Sequence, residues 1–243
     1  ILAEAYFARN EYEKALVQAS AVVSSNPDNV RAIELGALSA EKAGNLDAAT
    51  EMYEKFLASP STERRRDYAY HLGELYEKRG RKQQAIARYR KNTATYPDDP
   101  RNFEKLGRLY LDAKDYSSAR SILIEGHEVP GASKEMSAML VAARAHIADR
   151  AYDAKNRRRA EQEYLEIIKI DQTNARAHLR LARIYLKQGK MQDAQKYLNL
   201  GMGLGKPDAD ILEEFARAFR EQSKPREAMA AYRKVIELAP RRE

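Results

Sequence analysis

Apolar and polar positions follow one another along this chain with a helical period, and the pattern itself recurs. The stretches LAEAYFARNEYEKAL (2–16), LGELYEKRGRKQQAI (72–86), LGRLYLDAKDYSSAR (106–120) and LARIYLKQGKMQDAQ (181–195) share a spacing. Each places a leucine, then Ala or Gly, a tyrosine three residues on and an alanine nine after that. Leu and Tyr four apart share one face of a helix, so each stretch opens an amphipathic helix. The alanine belongs to a second helix. Between the two stands a residue suited to a left-handed turn: Asn10, Gly44, Gly80 or Gly189. Pro27, Pro97 and Pro240 are placed to stop second helices. Small residues at Gly73, Ala85, Gly107 and Ala119 let the two helices approach closely. Tyr89, Tyr164 and Tyr232 are expected to fill the gap toward the neighbouring pair. Burial of one such side chain is worth about 1.5–3 kcal/mol. A lone helix pair cannot bury its apolar faces, so the pattern predicts stacked pairs.

The slots return at about 34 residues and give seven units: 1–29, 30–65, 66–99, 100–132, 133–173, 174–208 and 209–243. The combination Leu-Gly, Tyr, Ala, a large residue four later and a terminal Pro resembles the tetratricopeptide repeat (TPR), over essentially the whole chain. The resemblance implies an all-α fold, a right-handed superhelical solenoid of antiparallel helix pairs. It also implies a non-catalytic protein–protein interaction scaffold whose first helices line a concave groove. The fifth unit departs from the spacing, with about seven extra residues between its helices, within 146–164. Either both helices are longer or a loop protrudes, and an extended first helix ending near Asp153 is the favoured reading. The second unit has the most divergent first helix.

Composition narrows the chemistry. Hydrophobic residues make up 44% and charged residues 33%, which fits a folded soluble chain rather than a disordered one. No apolar run is long enough for a membrane span. There is no cysteine, which removes disulfides and thiolate chemistry and leaves bacterial periplasm and cytoplasm equally open. The chain opens with "ILAEAYFARN", already in helical register, and is expected to be a fragment, so that any targeting segment would lie outside it. The four histidines, His71, His127, His146 and His178, form no metal-binding spacing, so no metal or cofactor is expected. His178 falls where a large core side chain is due. Paired carboxylates such as Glu213 and Glu214 read as polar helix faces, and no catalytic residues are expected. Ten of the 15 tyrosines occupy repeat slots, so they read as packing rather than base-stacking platforms, which disfavours nucleic acid.

Charge is unevenly spread. The net charge is −4 over residues 1–60, +4 over 61–100 and +7 over 101–243. On the first helices, the residue two after the leucine slot reads Glu4, Leu38, Glu74, Arg108, Arg183 and Arg217, with Val141 and Arg144 assigned to the fifth unit. An acidic-to-basic inner face is therefore expected. Its partner-binding residues would be Arg101, Arg108, Leu111, Arg144, Arg176, Leu179, Arg183, Leu186, Lys187, Arg217 and Arg220. Arginine pairs bidentately with carboxylates, so a protein or peptide with an acidic surface is the expected partner. Arg157, Arg158 and Arg159 form a second basic patch beside the insertion. The specific Lys/Asn set of the family's carboxylate-clamp subgroup is absent. An alternative is the periplasmic repeat region of a bacterial exopolysaccharide export system, recruiting a modifying enzyme or contacting the anionic polymer.

The stretch LNLGMGLGKPDAD (198–210) looks like a phosphate loop but lacks the first glycine, the hydroxyl after the lysine and a preceding strand. It reads as the joint between two repeats and a candidate hinge. There Gly201 faces the next helix, Gly203 and Gly205 unwind and cap the helix end, and Asp208 caps the next helix.

Overall fold

The computed structural model describes residues 1–59, 65–205 and 209–238. Asp208 and Pro240, expected at a helix cap and a helix stop, lie outside these residues. The described chain is helical throughout. The helices are α1 (Leu2–Ala8), α2 (Tyr12–Ser25), α3 (Val30–Lys42), α4 (Leu46–Ala58), α5 (Arg65–Lys78), α6 (Lys82–Thr95) and α7 (Pro100–Asp112). They continue with α8 (Tyr116–His127), α9 (Lys134–Asp153), α10 (Arg157–Ile170), α11 (Ala175–Lys187), α12 (Met191–Leu204), α13 (Ala209–Glu221) and α14 (Pro225–Leu238). Odd-numbered helices are the first members of the expected pairs and even-numbered helices the second. Two compact units result, Ile1–Met136 and Ser137–Glu243, with the division inside α9.

One turn closes every pair. The second residue after the first helix is left-handed at Asn10, Gly44, Gly80, Lys114, Lys155, Gly189 and Ser223, with φ between 57° and 76°. The next amide then reaches back five residues to the helix, as in Arg81 N to Tyr76 O at 2.8 Å and Asn156 N to Ala151 O at 2.8 Å. This is the paired-bond C-terminal cap that a left-handed residue permits. Four of the seven positions were legible as Gly or Asn. Lys114, Lys155 and Ser223 adopt the same conformation without a favourable residue, because the packed helices on either side dictate it.

Where the helices of a pair cross, a glycine makes room. A Cβ on Gly73 would stand 2.4 Å from the Tyr89 ring, and one on Gly107 would stand 2.4 Å from Leu123. Tyr53, Tyr89, Tyr164, Leu123 and Leu198, all at the same slot of the second helix, are buried. Tyr232, at the same slot of α14, is only half-buried. Tyr89 donates to Glu77 at 2.6 Å and Tyr53 to Glu41 at 3.1 Å, each acceptor twelve residues back on the first helix. Where the second-helix slot is Leu123 or Leu198, the position twelve back is Leu111 or Leu186. Polar slot matches polar slot and apolar matches apolar, so no buried hydroxyl lacks a partner at these positions.

The fifth unit places its extra residues in the first helix, as the favoured reading has it. The turn after α9 is as short as the others, and α9 itself carries the insertion, with 20 residues against 13 for α3, α7, α11 and α13. It does end at Asp153, as expected. Its buried stripe runs unbroken through Met136, Leu140, Ala143, Ile147 and Ala151. Seven residues are two helical turns to within about 20°, so the insertion lengthens the helix without rotating its apolar face.

The glycine stretch differs in detail. Gly203 lies inside α12 and does not unwind it, whereas Gly205 ends the helix as its C-terminal cap, extended at φ −169°. Gly201 faces Leu179 of its own pair, 2.7 Å from a hypothetical Cβ, rather than the next helix. Gly73→Ala should lower unfolding free energy by about 1 kcal/mol or more in urea denaturation, although alanine is the better helix former. Lys155→Gly should raise stability by about 1 kcal/mol, read as an upward shift in Tm.

Candidate functional site

The turn residues give an exact ruler for the first-helix faces. Six positions before each lie Glu4, Leu38, Glu74, Arg108, Asp149, Arg183 and Arg217. The fifth unit therefore contributes Asp149, not Val141 or Arg144, and an acid interrupts the expected basic run. The turn residue there is Lys155, which carries no glycine or asparagine signal, so the sequence did not mark the slot.

In the N-terminal unit the face is a network of ion pairs. Arg101 is held by Asp99, which is 3% exposed and caps α7, through bonds of 2.9 and 2.7 Å, and by Asp67 at 2.9 Å. Its guanidinium also lies 4.8 Å from the Tyr70 ring centroid. The hydrogen bond to Asp99 is the largest of the effects that raise its pKa. Arg101 is thus a brace within the unit and not a free groove cation. Lys105 reaches Glu74 at 3.1 Å and Glu77 at 3.4 Å. Burial alone would raise the Glu74 pKa, but hydrogen bonds from Lys105, His71 and Tyr70 outweigh it and hold it below the usual value. His71 sits between Glu41, 2.6 Å away, and Glu74, 3.4 Å away. Tyr76 of α5 donates to Glu54 of α4, and burial followed by that carboxylate pushes its pKa up to about 12. It therefore remains a neutral donor at ordinary pH. Arg108 is the most available cation here, exposed and 3.4 Å from Glu104. Leu111 is half-buried.

The C-terminal unit separates the expected residues into two groups. Arg144 and Leu179 are interior, a correction to the expected groove. Arg144 is 9% exposed and bonds Glu163, itself 6% exposed, at 2.7 Å. Leu179 is packed into the core beneath Gly201. The helical stripe that buries Ala143, Ile147 and Ala151 takes Arg144 with it, and a buried cation needs a carboxylate. His178 is buried as expected, with Nε2 3.0 Å from the Gln172 carbonyl oxygen.

The second group is surface-facing and cross-linked. Asp149 accepts from Tyr164 of α10 and from Arg176 of α11 at 2.5 Å, and lies 3.7 Å from Arg180. Position twelve before Tyr164 is Tyr152, so the tyrosine turns to Asp149 one helical turn earlier. Arg183 grips Glu214 of α13 with two nitrogens, and Lys187 lies 3.5 Å from the same carboxylate. Arg217 bonds Glu213 one turn back. Arg220 is exposed and has no ion-pair partner among the described residues. Between α11 and α13 an open cleft of about 470 Å³ is lined by Leu186, Lys187, Glu214, Arg217 and Glu221. The fold therefore brings Leu186, Lys187 and Arg217 together beside a half-buried apolar spot.

Arg157, Arg158 and Arg159 are exposed on the first turn of α10. They belong to an ordinary helix start, capped by the Asn156 side chain, and not to a protruding insertion. Among the described residues no cluster of His, Cys, Asp or Glu could hold a metal ion, and no helix is long and apolar enough to cross a membrane.

Comparison with known proteins bears on the fold. A chain of the structure described as Naa15/Naa10 bound to HypK-THB is 17% identical with a TM-score of 0.60, over 98% of this chain and 36% of that one. The C-terminal part of a TPR repeat-containing protein from Cytophaga hutchinsonii is 15% identical, with a TM-score of 0.49 over 99% of this chain and 95% of that one. A tetratricopeptide repeat protein from Parabacteroides merdae is 15% identical, with a TM-score of 0.49 over 99% of this chain and 91% of that one. At such identities the likeness concerns the fold alone. No curated protein sequence matches the chain. Models of the tetratricopeptide repeat match residues 34–100, 151–212 and 209–242. With these matches and a helix pair closed by the same turn seven times, the chain belongs to the tetratricopeptide repeat family.

Proposed function

We propose that this chain is a non-catalytic scaffold that binds a protein or peptide partner on the first-helix face of its C-terminal unit, in the cleft between α11 and α13. Family membership supports the scaffold class. The observation that carries the location is the meeting of Leu186 with Lys187 and Arg217, whose carboxylate partners lie on the same open surface. Arg176 and Arg217 are each 62% exposed. Ion pairs as exposed as these are worth about 0–1 kcal/mol each. A partner's carboxylate can therefore replace that of Glu213 on Arg217 at little cost, while an apolar side chain covers Leu186 and Glu214 stays held by Arg183. Such exchange favours a partner with acidic residues flanking an apolar anchor. Arg108 offers a comparable exposed cation on the N-terminal unit.

The test is a partner captured by the parent chain and then titrated against variants. Lys187→Glu with Arg217→Glu should weaken binding about ten-fold or more while the helical circular dichroism and Tm stay within error, and rising salt should weaken the parent. Unchanged affinity in the double variant would remove the partner from this face. The same preparations should turn over neither nucleotide nor ester substrates, and measurable turnover would end the non-catalytic reading.

A further inference from the structure

We propose a second interaction surface on the other side of the C-terminal unit, a groove between the second helices α12 and α14 that takes an acidic amphipathic helix. It goes beyond the scaffold reading above, because it places a different partner segment on different helices.

The groove encloses about 700 Å³. Its floor is Leu198, Leu212 and Phe219, all core residues that reach it from α12 and α13. Met191 and Met202 of α12 are half-buried and form its flexible apolar wall. Methionine adapts its shape to whatever packs on it. The lining residues of α12 fall at 191, 192, 195, 196, 198, 199 and 202, and those of α14 at 227, 230, 231 and 234. Each set is a single helical stripe, and the longer spans about three turns, or roughly 16 Å. Two such stripes flanking an apolar floor match the ridges of a helix laid between them.

Charge selects the occupant. Lys196, Lys224 and Lys234 stand on the rim against a single acid, Glu227. All three lysines are exposed, and none has a carboxylate partner among the described residues; Lys196 only lies over the Tyr197 ring, 5.8 Å from its centroid. This is the reverse of the first-helix face of the same unit, where Arg176, Arg183, Lys187 and Arg217 all have carboxylates beside them. A groove with an apolar floor and an uncompensated cationic rim is complementary to a helix with a leucine stripe flanked by glutamates. Nucleic-acid backbone would satisfy the lysines and leave the floor unused.

The test uses the full chain and a fluorescein-labelled peptide of about four or five helical turns. It carries leucines on one face and glutamates on the flanks. Two controls are the same peptide with lysine flanks and a scrambled sequence of the same composition. Fluorescence anisotropy should show saturable binding of the glutamate-flanked peptide, about ten-fold or more tighter than either control. Lys196→Glu with Lys234→Glu should weaken it by about ten-fold or more, and both positions are exposed, so the variant should keep its helicity. Arg176→Glu with Arg217→Glu should leave the affinity unchanged. Absence of binding, equal binding of the scrambled peptide or indifference to the two lysine reversals would overturn the proposal. Loss of binding in the arginine variant alone would place the peptide in the α11–α13 cleft, overturning this proposal while leaving the scaffold reading intact.

Discussion

Everything in this chain depends on how closely the two helices of a pair can approach. Glycine at position 73 brings the α5 backbone against the Tyr89 ring, and Gly107 does the same for Leu123. That approach buries the large second-helix side chain completely, and each buried side chain of this size is worth about 1.5–3 kcal/mol. The left-handed turn fixes the angle at which the helices meet. Its demand is strong enough that Lys114, Lys155 and Ser223 accept it without a glycine's freedom. Once pairs are closed in this way, the remaining apolar faces can be covered only by the next pair.

Charged side chains then do a second job that their number alone does not reveal. Arg101, Lys105, Arg176 and Arg183 each reach a carboxylate on a neighbouring first helix of the same unit. These pairs stitch successive repeats together at the surface and leave the first-helix face nearly balanced. Where such a pair is exposed, as at Arg176 and Arg217, it suits an exchange of partners: an incoming carboxylate finds a cation already positioned. Lys196, Lys224 and Lys234, which have no carboxylate partner among the described residues, line a different groove.

The fifth repeat shows how such an array tolerates change. Seven added residues are nearly two full turns, so α9 grows longer while Met136, Leu140, Ala143, Ile147 and Ala151 keep one face. An insertion of two or five residues would have turned that face away from its neighbours. Arg144 lies on the same stripe and is accommodated by Glu163, since a cation carried into the interior needs a carboxylate in contact.

The sequence by itself determined the repeat, its helix pairs, four of the seven turn residues and the packing role of the buried tyrosines, because those follow from local periodicity and from residues with restricted backbone preference. It could also place His178 in the core and show that the glycines near residue 203 make no phosphate loop. It could not settle the fifth repeat's register, since a seven-residue slip preserves the apolar stripe and leaves two readings with the same pattern. Only the tertiary structure put Asp149 rather than Arg144 on the surface face. Only it showed that Leu111 and Leu186 occupy the slot where other repeats carry a carboxylate for a buried tyrosine. Nor could composition say which arginines are free. That depends on whether a carboxylate some 30 residues away on the next first helix comes within about 3–4 Å, a distance set by the stacking of pairs and not by any neighbour in the chain.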